Sequence, residues 1–175
     1  MQSAHFKKGI TLVELVVYIA LLIAAVVLTV FVMVEISRSY GKNRTDRLVG
    51  IAAETAMERI VREIRLACSI VSISSPVRNS LTLSTFSSLE GAGTCSSGPL
   101  SDRTILLDVN VIKISGNSLM PTGVTASSLE FTEITGDGAP TKAVRITLTL
   151  TSGSGSYQVT RKYYATATLR GSYAN

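Results

Sequence analysis

The sequence predicts an α+β protein in which one long N-terminal helix, apolar enough to span a membrane, packs on a C-terminal antiparallel β-sheet of four to six strands. Three observations carry that expectation. Hydrophobic residues make up 46% of the 175-residue chain, but they crowd toward the N-terminus instead of spreading evenly. The run from Ile10 to Val34, ITLVELVVYIALLIAAVVLTVFVMV, holds a single charge, Glu14, and neither Gly nor Pro. The C-terminal two-thirds is rich in Ser, Thr and Gly and contains segments in which apolar and polar residues alternate. A chain of this length suits one folded domain with a helix that extends beyond it.

Residues 1–9, MQSAHFKKG, form a short leader in which Lys7 and Lys8 stand beside Gly9. Residues 10–34 follow as the membrane segment. As a helix this run is roughly 37 Å long, enough to cross a hydrocarbon core of about 30 Å with some tilt. A secretory signal peptide has an apolar stretch of only about 7–15 residues that ends at a small-residue cleavage site, and this run is longer and has no such site at its end. A plain single-pass anchor accounts for the length but leaves Glu14 unexplained. An acidic side chain at the centre of a span costs on the order of 2.5–3.5 kcal/mol; one turn inside it costs less, yet it still calls for a partner. Ala20 and Ala24 form a small-xxx-small pair that would allow close helix approach, although background alanine is the simpler account.

Residues 35–175 make the second region. Polar helix signals continue after Val34, with Gly41 and Gly50 as weak points. An amphipathic helix is expected over about residues 51–71, where Met57, Ile60, Val61, Ile64, Ala67 and Cys68 fall at helical spacing and Glu58–Arg62 and Arg59–Glu63 form i,i+4 pairs outside that stripe. Strands cover the stripe from about residue 80 to about residue 170. Ala143–Thr151 alternates strictly, with Val144, Ile146, Leu148 and Leu150 on one face. After the flexible SGSGS turn, Tyr157–Arg170 places Tyr157, Val159, Tyr163, Ala165, Ala167 and Leu169 on a face, with Arg161 the odd member. Earlier strands are expected at Leu81–Phe86, at Thr104–Ser115 with a bulge near Asn110, and at Ser127–Thr135, with turns at Gly116–Asn117 and Gly136–Pro140. Ser87–Arg103 reads as a loop; it lacks the spaced carboxylates of a calcium site and the pattern of a phosphate-binding loop.

Composition argues against catalysis. The only histidine is His5, in the leader, which removes Ser-His and Cys-His nucleophile pairs, and two cysteines without CxxC or Cys/His spacing do not make a zinc site. No catalytic residue, metal or cofactor is expected. Glu130, Glu133 and Asp137 lie in a strand–turn setting that makes them surface charges. Arg59, Arg62 and Arg65 read either as an anion-binding ridge or as a solvated face balanced by Glu54, Glu58 and Glu63, and the second is the plainer account. The net charge of +5 would suit nucleic acid or lipid, but the bases are scattered and few aromatics accompany them. Cys68 and Cys95 would form a disulfide worth about 3–4 kcal/mol in an oxidising compartment, or remain two free thiols in a chain that never meets an oxidant.

The stretch KKGITLVEL resembles the N-terminal signal of type IV pilins and type II secretion pseudopilins. There a basic leader ends in Gly, a hydrophobic residue follows, and Glu stands fifth after the cut; here these are Lys7, Lys8, Gly9, Ile10 and Glu14. Ile10 departs from the more usual Phe, and the helix lacks the Pro found in many major pilins. The resemblance implies a pilin-like fold and cleavage by a prepilin peptidase between Gly9 and Ile10, with methylation of the new Ile10 amine. It implies that Glu14 attracts the N-terminal amine of a neighbouring subunit, a pairing that acts as a register pin because a misaligned subunit leaves both charges bare. It further implies that the leader lies in the cytoplasm, that residues 10–34 sit in the inner membrane before assembly, and that residues 35–175 are extracytoplasmic. Other pilin or pseudopilin subunits, the peptidase, membrane lipid and the inner-membrane assembly platform would then be the partners. Charge balance alone favours the opposite orientation, since Arg38, Lys42, Arg44 and Arg47 follow the span while only Lys7 and Lys8 precede it.

The helix ERIVREIRLACSI, the Ser/Thr-rich strands and a last strand ending near Arg170 more loosely resemble minor subunits of the J or W type. Retention of Glu14 speaks against the minor pseudopilin class that lacks that residue. Two alternatives stay open: a DNA-binding minor pilin of an uptake pilus, for which nucleic acid is a partner, and a plain membrane-tethered β domain.

Overall fold

The computed structural model describes residues 11–74, 79–86, 95, 100–135 and 142–169. It has the α+β class that the sequence predicts, with one long apolar N-terminal helix and antiparallel sheets. The chain divides into two compact units, Met1–Gly41 and Lys42–Asn175.

Helix α1 runs from Leu12 to Leu66. Gly41 and Gly50 do not interrupt it: each weakens a helix by only about 1 kcal/mol relative to Ala. In the first unit every residue from 11 to 40 is exposed. In the second unit the helix buries Val49, Ala52, Ala53, Ala56, Ile60 and Ile64, a stripe with three- and four-residue spacing. Its upper half is alanine, which lets the helix backbone come close to the strands beneath. Met57 and Val61 pack at the margin of the same core.

The helix stops at Leu66, short of the expected residue 71. Ala67 donates its N–H to the Ile64 carbonyl in a tightened last turn, and Cys68 donates to the carbonyl of Ser84, which draws the chain into a sheet. The following SIVSI segment is β-branched at alternate and adjacent positions and forms strand β1, Ser69–Ile73.

Among the described residues eight strands form two antiparallel sheets, where the sequence suggested four to six strands in one. The first sheet has the order β1-β2-β3-β4-β5, with β2 at Ser80–Phe86, β3 at Leu100–Asp108, β4 at Val111–Ile114 and β5 at Asn117–Ser118. The second has the order β6-β7-β8, with β6 at Val124–Thr135, β7 at Lys142–Ser152 and β8 at Val159–Thr168. β1 and β5 are short pieces outside the expected strands, and the strand expected at Thr104–Ser115 divides into the C-terminal part of β3 and β4. The Ala126 N–H donates to the Asn110 carbonyl at 2.8 Å and ties β6 to the β3–β4 turn.

That turn replaces the expected bulge. Asp108 pairs with Val111, and Val109 and Asn110 between them have φ of 44° and 65°, the two positive values a two-residue hairpin turn requires. The Leu100–Arg103 end of the expected loop lies in β3; residues 87–94 and 96–99, and the turn at 136–140, fall outside the described residues. β7 and β8 are joined through Gly153 and a single 3-10 turn, Gly155–Tyr157.

One core fills the second unit. Leu81, Leu83, Ile105 and Ile112 from the first sheet meet Leu129, Phe131, Val144, Ile146, Leu148 and Leu150 from the second, together with the buried helix stripe. Strict alternation along β7 puts all four of its predicted inward residues, Val144, Ile146, Leu148 and Leu150, at 0% exposure.

Candidate functional site

The sequence points to the start of α1, and the local chemistry there is specific. Thr11 precedes the first helical residue and its Oγ1 accepts the backbone N–H of Glu14 at 3.3 Å, an N-cap contact. Glu14 therefore sits at the third helical position of a T-x-x-E sequence, where a carboxylate faces the positive end of the helix dipole. One turn on, the Tyr18 hydroxyl donates to Glu14 Oε1 at 3.3 Å. The sequence signals for Thr11 and Tyr18 are the T-x-x-E spacing and the i,i+4 separation of Glu14 and Tyr18.

Around this polar start, the helix presents bulky apolar side chains on all sides. Exposure of these large apolar side chains runs from 45% at Val34 to 78% at Leu12. The most apolar window of the helix has a mean hydropathy of 3.1 with none of it buried, and the helix is long and apolar enough to cross a bilayer. The few hydroxyls near or inside the run suit a medium without water: Thr29 donates to the Ala25 carbonyl at 2.8 Å and Ser37 to the Met33 carbonyl at 2.9 Å. Gly9 and Ile10, the expected cleavage and methylation positions, lie outside the described residues.

In the second unit Cys68 and Cys95 are joined by a disulfide with a Cα–Cα separation of 5.5 Å. Arg62 pairs with Glu58 at 3.1 Å, whereas Glu63 reaches across to Arg103 of β3 at 3.3 Å instead of pairing with Arg59. Glu130 and Glu133 lie three apart on β6 and so point to opposite faces, with Glu133 3.6 Å from Lys142; Asp137 falls outside the described residues. No group of three or more His, Cys, Asp and Glu among the described residues is placed to hold a metal ion.

Arg161, the odd charge on the inward face of β8, has a partner there. Its guanidinium makes two hydrogen bonds to the Asp46 carboxylate of α1, at 2.9 and 3.2 Å. The hydrogen bond from Arg161, reinforced by its charge, holds the Asp46 carboxyl below its usual value, and the Arg161 pKa is raised in turn. Burial pushes the nearby Tyr163 phenol up.

The outer face of the second sheet carries rows of hydroxyls with Arg145, Lys162 and Tyr164 among them. Thr132, Arg145, Thr147, Tyr164 and Thr166 line an open groove of about 600 Å³, and the Lys162 ammonium lies 5.5 Å from the centre of the Tyr164 ring.

Compared with known proteins, the chain matches no family model, no curated protein and no solved structure.

Proposed function

We propose that this chain is a structural subunit of a pilus-type filament, a minor pilin or pseudopilin of a type IV pilus or type II secretion pseudopilus. In this reading a prepilin peptidase cuts after Gly9, the new Ile10 amine is methylated, and the subunit waits in the cytoplasmic membrane with its leader end inside. It then joins neighbouring subunits through α1, with the assembly platform in the inner membrane as its docking point.

One observation carries the proposal above the rest: a long helix segment with its apolar side chains uncovered on every side has one carboxylate, Glu14, in its first turn. A helix that needed only lipid would have no use for that charge. A helix that leaves lipid for a bundle of like helices has two uses for its surface: the side chains pack on neighbours, and the carboxylate pairs with an amine brought by the next subunit. The looser likeness to J- or W-type minor subunits gives the finer expectation of a place at or near the filament tip.

The test is intact-mass and N-terminal peptide mass spectrometry of the full chain co-expressed with a prepilin peptidase. A new N-terminus at Ile10 bearing one methyl group is the expected product. A retained leader, or a cut after the apolar run, would overturn the proposal.

The groove with Arg145, Tyr164 and nearby Lys162 favours a second reading, a DNA-binding minor pilin, because a base beside an exposed ring suits a phosphate chain with stacked bases. Its test is binding of single- and double-stranded DNA to the detergent-solubilised protein over a salt series. A steep loss of affinity with salt supports it, and no binding or a flat series removes it.

A further inference from the structure

We infer that the Tyr18 hydroxyl holds and orients the Glu14 carboxylate, which makes Tyr18 a positioning residue for subunit docking. The inference rests on the filament reading, since without an incoming amine Tyr18 has nothing to position.

Glu14 is fixed at two points. Its backbone N–H is held by Thr11 Oγ1, which sets the helix start, and its Oε1 accepts the Tyr18 hydroxyl. Among the described residues no cation pairs with this carboxylate and no second side-chain donor reaches it. In water that would not matter. In an apolar medium each unmet lone pair of a carboxylate is a liability, so one intrahelical donor counts for much more. The 3.3 Å separation, between exposed groups, is long for an O–H···O bond.

The way the other hydroxyls are used sharpens the point. Thr29 and Ser37 both turn back onto carbonyls of their own helix and commit their one O–H donor there. Tyr18 alone turns its hydroxyl onto a side chain in this stretch of described residues, and that side chain is the only charge of the apolar run. A phenol is long enough to span the i,i+4 gap while its ring stays among the neighbouring apolar groups, and tyrosine suits the bilayer interface for the same reason. With Oε1 engaged, the carboxylate cannot spin freely and Oε2 is left open to a cation approaching from outside the helix. The Tyr18 contact thus determines which oxygen the neighbour meets and limits the search for register.

The experiment uses the full chain, processed by prepilin peptidase and reconstituted in phospholipid vesicles as an equal mixture of normal and heavy-isotope copies. A membrane-soluble carbodiimide is then added. It joins the Glu14 carboxylate to the Ile10 amine when the two touch: an amide bond forms, the amine proton is lost, and the carboxylate oxygen leaves on the carbodiimide as the urea. Mixed-isotope Ile10–Glu14 peptides count links between copies, separate from links within one chain. The expected result is a clear yield of mixed links for the unaltered chain and a loss of at least about tenfold for Tyr18→Phe, the scale of one hydrogen bond to a charged group. Tyr18→Trp, which keeps a ring and an N–H donor, should recover most of the yield. A Tyr18→Phe chain that links as well as the unaltered one would refute the positioning role and leave the filament reading intact. A Tyr18→Trp chain as poor as Tyr18→Phe would also refute it, since ring fit and not the donor would then be at issue. No mixed links from the unaltered chain would instead remove the filament reading, and this inference with it.

Discussion

The one helix of this protein has two stretches of opposite surface character. From Leu12 to Val34 most side chains are large and apolar, and all are exposed. From Lys42 to Leu66 they divide into a stripe of alanine and isoleucine at or near 0% exposure and a charged face that pairs with itself and with the strands. Secondary structure is identical in the two stretches, so it is not what separates them. The difference lies in where the apolar surface goes: inward to the chain's own strands in one stretch, and outward to a partner or lipid in the other. Helix propensity is therefore a poor guide to the function of either stretch, and the uncovered surface is the better one.

The sharpest way to break that comparison is to shorten a large side chain in each region. Phe131 is 0% exposed in the core of the second unit, and Phe131→Ala should lower its unfolding free energy by about 3–5 kcal/mol. Leu22 is 64% exposed, so Leu22→Ala should leave the stability of that unit within about 0.5 kcal/mol, as for surface changes elsewhere. Denaturant midpoints of the detergent-solubilised chain measure both. Equal losses would mean that the apolar run is an integral part of the folding unit.

A backbone position comes next in size. Gly153 has φ of 82°, and a Cβ there would stand 2.5 Å from the Tyr157 carbonyl oxygen and 3.1 Å from Thr45 Cγ2. The first neighbour is backbone and cannot swing away. Gly153→Ala should cost about 2–4 kcal/mol by adding left-handed strain to overpacking. Gly116→Ala serves as the control, because its φ is also positive but nothing lies within 4 Å of its Cβ. A Gly153 loss no larger than the Gly116 loss would show that the β7–β8 connection shifts without resistance.

How much of this was legible in the sequence differs along the chain for physical reasons. Long strands with strict alternation, such as β7, announce themselves because one face is fully buried and the other is not. The buried helix stripe is legible from Met57 onward but not before it, since Ala52, Ala53 and Ala56 carry little hydrophobic signal, although their small size suits close packing. Strand β1 was hidden because its SIVSI segment follows a strong helical pattern, and the contact that ends the helix, Cys68 to Ser84, is between residues far apart in sequence. Glu14 stood out as a lone charge, whereas its Tyr18 contact needed the helical geometry. Arg161 looked misplaced on an inward face until Asp46, more than a hundred residues earlier, supplied its partner.

A smaller effect, of opposite sign, is expected at the β3–β4 turn. Val109 is β-branched, 87% exposed and held at φ of 44°, a conformation that costs an ordinary residue about 1–2 kcal/mol and asparagine or glycine less. Val109→Asn should raise stability by about 1 kcal/mol, read as a higher denaturant midpoint with an unchanged slope. No gain would mean that the valine side chain makes a compensating contact in the folded protein.

The smallest effect tests whether charge or apolar packing holds the second stretch of the helix to the sheets. The Asp46–Arg161 pair is half-exposed on both sides, and exposed pairs contribute little in general. Its pH signature is nevertheless definite. The hydrogen bond from Arg161 lowers the Asp46 pKa from its ordinary value of 3.8, so the folded state binds the proton less readily than the unfolded one. The pair's contribution is then present in full above about pH 4 and is lost as pH falls through the lower folded value. Arg161→Gln should remove that part of the acid sensitivity and leave stability near neutral pH almost unchanged, measured as urea midpoints across about pH 2–6. A large loss at neutral pH would show that the ion pair, and not the alanine and isoleucine stripe, anchors the helix. An unchanged acid slope would show that Asp46 keeps its depressed value without Arg161, leaving the weaker attraction of Lys42 as its remaining cationic neighbour.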